Sequence, residues 1–295
     1  MAAYPFVTVD VFADRRFGGN PLAVFPDARG LTGEQMQSLA TEFNLSETTF
    51  VLPPEDPADT ARVRIFNTTA EMPFAGHPMV GTGYVLARQG RGEGDALRFE
   101  VTAGLVEVKI GRDAAGAIAG AVIAAPRPLS LGAEVAAEAV AASTGIAVHE
   151  VLTTAHRPVV ASVGIPFVFA EVTGEALTRA GPMLDGFRRA SEATPELQGR
   201  FSVHLYARTA DGLRARMFAP LEGTFEDPAT GSANATLAAL LLSLGQEEAG
   251  SWQVVQGVEM GRPSVLRVTA RREAGGIRAT VGGDCVPVLR GEAEV

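Results

Sequence analysis

The 295-residue chain predicts an α+β fold made of two pseudo-symmetric lobes, each a curved sheet around one central helix. Three observations carry this. Strand-type alternation recurs through both halves and outnumbers helical runs. Each half holds one helix that reads as buried, the second with apolar residues on every face, and each is entered through a mouth of small or polar residues, Gly76-His77 and Gly231-Ser232. The mouths are 155 positions apart (231 minus 76), and each apolar run ends at a glycine, Gly90 or Gly245. That period is too long for a solenoid repeat and reads as duplication at domain scale. A sheet wrapped around one buried helix covers both partners. Two such lobes facing each other would bring both helix N-termini to one cleft, where small ligands tend to bind.

The elements follow in order. "FVTVDVFAD" and "NPLAVFP" read as strands. "TGEQMQSLATEFN" is an amphipathic helix with a capping box, Thr32 with Gln35. "ETTFVLP" and "ARVRIFN" are strands, and a helix runs from Pro78 to Gln89. "LRFEVTAG", "LVEVKIG" and "AIAGAVIAAP" are strands joined by glycine turns. "EVAAEAVAASTG" opens the second half as a helix, and "PVVASVGIPFVFAEV" is strand material broken at Gly164-Ile165-Pro166. "GEALTRAGPMLDGFRRASEA" holds helical pieces; "RFSVHLYART" and "LRARMFAP" are strands. After the second buried helix, Ala233–Leu244, come four strands: "WQVVQG", "SVLRVTARR", "IRATVGG" and "CVPVLRGE".

That second helix is opened by "EDPATGSANATLAALLLSLG". Pro228 suits the start of a helix, Thr, Ser and Asp suit its cap, and Gly245 suits its end. Gly231 and Ser232 leave little bulk over the first amides, so the mouth is either a plain cap or an anion receptor.

Composition narrows the chemistry. Hydrophobic residues at 46% and charged residues at 20% are ordinary for a soluble globular protein. The net charge of −9, with arginine pairs only at 15-16, 188-189 and 271-272, argues against a nucleic-acid partner and reads those pairs as solvated surface. "MAAYPFVTVD" lacks the pattern of a signal peptide, and no apolar run reaches the roughly 18 residues of a membrane span. A cytoplasmic protein without a membrane partner is expected. Cys285 is the sole cysteine, which excludes an intrachain disulfide. The single lysine, Lys109, should face solvent from its strand, which disfavours a Schiff-base cofactor. His77, His149, His156 and His204 show no zinc-ligand spacing, and no metal is expected. "GTGYVL" begins like a dinucleotide fingerprint, but Leu86 replaces the third glycine.

Four stretches, "VDVFADRRFGGNPLAVF", "NLSETTFV", "EMPFAGHPMVGTGYVL" and "EDPATGSANATLAALL", resemble in sequence and order the phenazine-biosynthesis isomerase-like family, which shares the diaminopimelate epimerase fold. The resemblance runs through nearly the whole chain. It implies two lobes of mostly antiparallel, barrel-like sheet: residues 1–127, with 280–295 returning to them, and residues 128–279. It implies a cofactor-free isomerase, a small anionic substrate and a homodimer. It places the acid–base group at Glu47, supporting catalytic groups at His77 and Asp227, and substrate-binding residues at Gly76, Gly231, Ser232 and Asn20. Where the family often has Thr-Pro, this chain has Asn67-Thr68, which leaves the substrate open. The thiol epimerases of this fold carry a cysteine at each mouth; here the mouths carry His77 and Ser232, which excludes two-thiol racemisation.

Read from the residues alone, Glu47 also fits a surface or capping glutamate, His77 a packed histidine, and Asp227 a helix cap. With the resemblance, the expected mechanism docks an anionic group on the helix mouths. Glu47 then moves a proton between two carbons while His77 and Asp227 hold the substrate. The alternatives are an epimerase or tautomerase acting at one carbon, and an inactive binding protein on the same fold.

Overall fold

A computed structural model describes residues 2–92 and 94–295. The chain divides into two compact units, Met1–Ala124 with Gly282–Val295, and Ala125–Val281.

The first unit contains β1 (Ala3–Val11), β2 (Asn20–Phe25), α1 (Gly33–Phe43), β3 (Glu47–Leu52), β4 (Ala61–Phe66), β5 (Glu71–Met72), α2 (Gly76–Arg88), β6 (Ala96–Val101), β7 (Gly104–Arg112) and β8 (Ile118–Ala124). Its strands close on themselves. Successive pairings run β1–β2–β3–β4–β6–β7–β8, and the C-terminal strand, residues 282–294, pairs with both β8 and β1. Most pairs are antiparallel; β2–β3 and β4–β6 are parallel. The buried α2 packs against β1, β2, β3, β7 and β8. The glycines of "GTGYVL" serve that packing. A Cβ at Gly81 would lie 2.6 Å from Leu22 Cδ2 and 2.7 Å from Val11 Cγ2, and one at Gly83 would lie 2.6 Å from Val108 Cγ1. Inside, Thr49 and Thr82 share a hydrogen bond of 2.8 Å that ties β3 to α2. Outside, α1 closes a phenylalanine-rich cluster around Phe25, Phe50 and Phe66, and Thr32 and Gln35 form the expected capping box.

The second unit contains β9 (Ser130–Glu134), α3 (Ala137–Thr144), β10 (Val151–Leu152), β11 (Val159–Ser162), β12 (Pro166–Val172), α4 (Gly174–Arg179), α5 (Leu184–Ala193), β13 (Val203–Thr209), β14 (Gly212–Ala219), β15 (Thr224–Asp227), α6 (Gly231–Ser243), β16 (Ala249–Gln256), β17 (Ser264–Glu273) and the start of β18 (Gly276–Glu294). Pairings run β9–β11–β12–β13–β14–β16–β17. The amides of Ala125 and Leu129 donate to Ala279 and Ile277 of β18, at 2.8 Å each. The buried α6 packs on β11, β12, β16 and β17, while α3 and α5 cover the outer apolar cluster around Phe187 and Phe201.

The two units repeat one another strand by strand. Parallel β2–β3 matches parallel β12–β13, and parallel β4–β6 matches β14–β16. The registers make individual positions equivalent. Thr48 opposite Phe66 corresponds to Val203 opposite Phe218, and Met72 opposite Ile65 corresponds to Asp227 opposite Met217. The helix mouths are related by the same offset.

Several sequence expectations change. Both central helices begin two residues early, at Gly76 and Gly231, so each mouth is itself the first turn. Pro228 lies outside the helix, and Asp227 ends strand β15 instead of capping α6. Thr230 occupies the N-cap position without a side-chain cap bond, because its hydroxyl is given to Asp227. Gly245 follows the C-cap, Leu244, at the end of the helix, and Arg272 donates to the carbonyls of Leu242 and Gly245 at 3.0 and 2.9 Å. Arg272 is therefore not simply solvated surface. "IRATVGG" and "CVPVLRGE" form one continuous strand, β18. The short strands β5, β9, β10 and β15 escape the sequence because pieces of two to five residues carry too little alternation to detect.

Candidate active site

In the first unit, the residues singled out by sequence gather where elements begin. Asn20 opens β2, Glu47 opens β3, and Gly76-His77 open α2. The parallel pairing that sets Leu22 opposite Glu47 brings the starts of β2 and β3 side by side. Asn20 is fully buried and follows a tight turn. Gly19 sits at φ 63, and a Cβ there would lie 2.4 Å from the Val11 carbonyl oxygen. The Phe17 amide donates to the buried Asp10 carboxylate at 2.6 Å, which fixes the same turn. The Thr49–Thr82 bond, two residues beyond Glu47, sets β3 against α2.

His77 Nδ1 lies 3.3 Å from Glu47 Oε2; the His77 side chain is 6% exposed and that of Glu47 18%. Burial pushes His77 from its usual 6.5 down to about 3, and its contact with the Pro21 backbone offsets this only in part. The imidazole is therefore neutral near pH 7. With a neutral imidazole, the His77–Glu47 contact is a polar pairing rather than an ion pair. No side chain caps the N-terminus of α2, since Ala75 has none to offer. Its first amides and the positive end of its dipole lie beside Glu47 and His77.

In the second unit, Gly231-Ser232 open α6, and the Asp227 carboxylate accepts the Thr230 hydroxyl at 2.7 Å. Gln256 and Asn234, both buried, complete a polar cluster at this mouth. Sequence reading missed both. Their signal was present: an amide at an inward position of the alternating "WQVVQG", and another inside an otherwise apolar helix. Asn67-Thr68, the departure from the family pattern, forms the β4–β5 turn, where Asn67 Oδ1 accepts from the amides of Thr69 and Ala70 at 2.8 and 2.7 Å. Among the described residues, no group of three or more His, Cys, Asp or Glu side chains is arranged to hold a metal ion. No helix among them is long and apolar enough to cross a membrane.

A lobe of sheet rolled around one helix, made twice, defines the epimerase-like class of α+β folds. Within that class, the chain belongs to the family described as phenazine biosynthesis-like protein, whose model matches residues 9–291. It is 38% identical to an uncharacterized isomerase of Mesorhizobium japonicum, covering 97% of each chain. It is 36% identical to the trans-2,3-dihydro-3-hydroxyanthranilate isomerase of Pseudomonas aeruginosa, covering 98% of each. The crystal structure of a Bacillus anthracis phenazine biosynthesis protein of the PhzF family superposes with a TM-score of 0.89 at 25% identity, over 100% of both chains. The protein is an isomerase.

Proposed function

We propose that this isomerase shifts a double bond in a small carboxylate-bearing substrate by moving a proton from one carbon to another, with Glu47 as the proton carrier. The observation that supports it is the pairing of Glu47 with a neutral, buried His77 beside the uncapped N-terminus of α2. The Glu47 carboxylate takes a proton from a carbon next to a double bond. The electron pair left behind spreads into the conjugated system, and protonated Glu47 returns the proton at the far carbon. No atom is gained or lost, and Glu47 ends as it began. The neutral His77 positions the substrate or Glu47 by hydrogen bonding without adding charge. The helix amides receive an anionic group of the substrate. Asp227 and Ser232 are proposed as substrate contacts from the second helix mouth, and Asn20 as one beside Glu47. The relatives named for trans-2,3-dihydro-3-hydroxyanthranilate act on a compound carrying a carboxylate, which supports this substrate class.

The test is solvent exchange in D₂O with that compound as probe. Wild type should convert it, with deuterium entering at the carbon that gains the proton to the extent that protonated Glu47 exchanges with solvent before the return. Glu47→Gln should retain the fold and bind the probe, while turnover drops roughly 10²-fold or more, the scale of a general acid–base group. Near-normal turnover by Glu47→Gln would remove Glu47 from the mechanism. Exchange at one carbon with inversion and no double-bond shift would replace this reading with that of an epimerase.

A further inference from the structure

At the mouth of α6 a set of buried polar side chains is joined by hydrogen bonds whose direction is fixed. Gln256, 1% exposed, sits at its centre. Its Nε2 donates to the Asp227 carbonyl oxygen at 2.8 Å and to Thr230 Oγ1 at 3.1 Å. Its Oε1 accepts from the Thr230 amide at 3.2 Å and from Asn234 Nδ2 at 2.7 Å. Asn234 Nδ2 gives its second proton to the Thr230 carbonyl oxygen at 3.0 Å. Turning the Gln256 amide over would set its NH₂ against two donors and its oxygen against a carbonyl, so only one orientation satisfies the cluster. Thr230 Oγ1 already accepts from Gln256, and its own proton points to Asp227 Oδ2 at 2.7 Å. At the far end His204, made neutral by burial, lies against Asn234.

The other unit lacks all of this. By the strand registers and the common offset, Asp227, Thr230, Asn234 and Gln256 correspond to Met72, Ala75, Met79 and Val101. The same fold therefore closes around its central helix with apolar side chains at all four places. Barrel closure does not require the polar cluster.

We infer that Gln256, acting through Thr230 and steadied by Asn234, is a positioning residue that orients the Asp227 carboxylate by holding its Oδ2 as an acceptor. The inference rests on the reading that Asp227 meets substrate. The flanking charges are engaged elsewhere: Glu226 pairs with Arg216 at 2.7 and 2.8 Å, and Glu259 pairs with Arg214.

Two readouts test it. The first follows the Asp227 carboxyl carbon by ¹³C NMR against pH, assigned by its loss in Asp227→Asn. Thr230→Val and Gln256→Leu should move the titration midpoint upward, because the ionised carboxylate loses a donor or its orientation. Thr230→Ser, which keeps the hydroxyl, should titrate as wild type. The second is turnover of trans-2,3-dihydro-3-hydroxyanthranilate. Thr230→Val and Gln256→Leu should lower kcat on the order of 10-fold or more with KM little changed, and Thr230→Ser should restore it. Unchanged titration and kcat in folded Thr230→Val and Gln256→Leu would overturn the inference. If wild type leaves the probe unconverted, the functional reading is what fails, and the carboxyl titration decides the inference alone. Should one variant not fold, the other carries both readouts.

Discussion

His77 and His204 are each buried in their own unit, and burial pushes both from 6.5 down to about 3. In the unfolded chain each imidazole takes up a proton as pH falls through about 6.5. In the folded chain neither does so until about pH 3. Between these values the unfolded state binds more protons, so stability is fully present above about 6.5 and is lost as pH falls toward 3. Urea unfolding at pH 7, 6, 5 and 4 should show the midpoint falling steadily. His204→Asn should lower stability at pH 7, because it changes a fully buried site, yet flatten the dependence on pH. A variant with the wild-type slope would show that His204 takes no part in the acid response. The same neutrality matters at Glu47, since a protonated His77 at 3.3 Å would turn the pair into a salt bridge.

At the scale of elements, two glycines separate tolerable crowding from intolerable crowding. A Cβ at Gly81 meets the ends of the Leu22 and Val11 side chains at 2.6 and 2.7 Å. A Cβ at Gly186, on α5, meets the Ala142 carbonyl oxygen of α3 at 2.1 Å and its carbon at 2.5 Å. Side-chain ends can shift, and Gly→Ala in a helix recovers up to about 1 kcal/mol of propensity. Backbone cannot shift without parting the two helices. Gly186→Ala should therefore cost about 1–3 kcal/mol, the range for overpacking, and Gly81→Ala clearly less. Chemical denaturation of both variants checks the order; equal losses would mean that α3 and α5 can slide apart. Arg272 offers a separate test. Its guanidinium also reaches the Glu247 carbonyl at 3.0 Å, so it binds three carbonyl oxygens around the end of α6. Arg272→Ala should destabilise by about 1.5–3 kcal/mol, the scale of bonds to a charged donor, and Arg272→Lys should recover only part because it has no planar fork.

At the scale of the molecule, duplication has been followed by a division of polar groups. Asn20, Glu47 and His77 in the first unit correspond in register and offset to Ile165, Ser202 and Ser232 in the second, while Asp227 and its hydrogen-bonded cluster stand where the first unit has apolar residues. Each unit keeps the covering that barrel closure needs, so each can lose the polar groups that the other retains. The C-terminal strand links this to folding. Residues 285–294 pair with β1 along its whole length. A chain ending at Gly282 would leave the backbone groups of β1 without that partner, and should fail to give a cooperative unfolding transition. Such a transition in the shortened chain would show that β1 closes the sheet without β18.

The sequence by itself determined the class of fold, the duplication and the two buried helices, and it drew the proposed site residues toward their mouths. These depend on local periodicity and on small residues at helix starts, which the chain order preserves. Glu47, His77 and Asp227 became candidates only because four motifs occur together in order; each residue alone had an ordinary structural reading. Tertiary structure decided the rest. It set His77 against Glu47, 30 positions away in sequence, and made His77 neutral by burying it. It took the Thr230 hydroxyl from the helix end and gave it to Asp227. It joined Gln256 to residues 22 to 29 positions earlier. Burial and hydrogen-bond direction depend on what packs against a side chain from distant parts of the chain, and no local window of sequence contains that information.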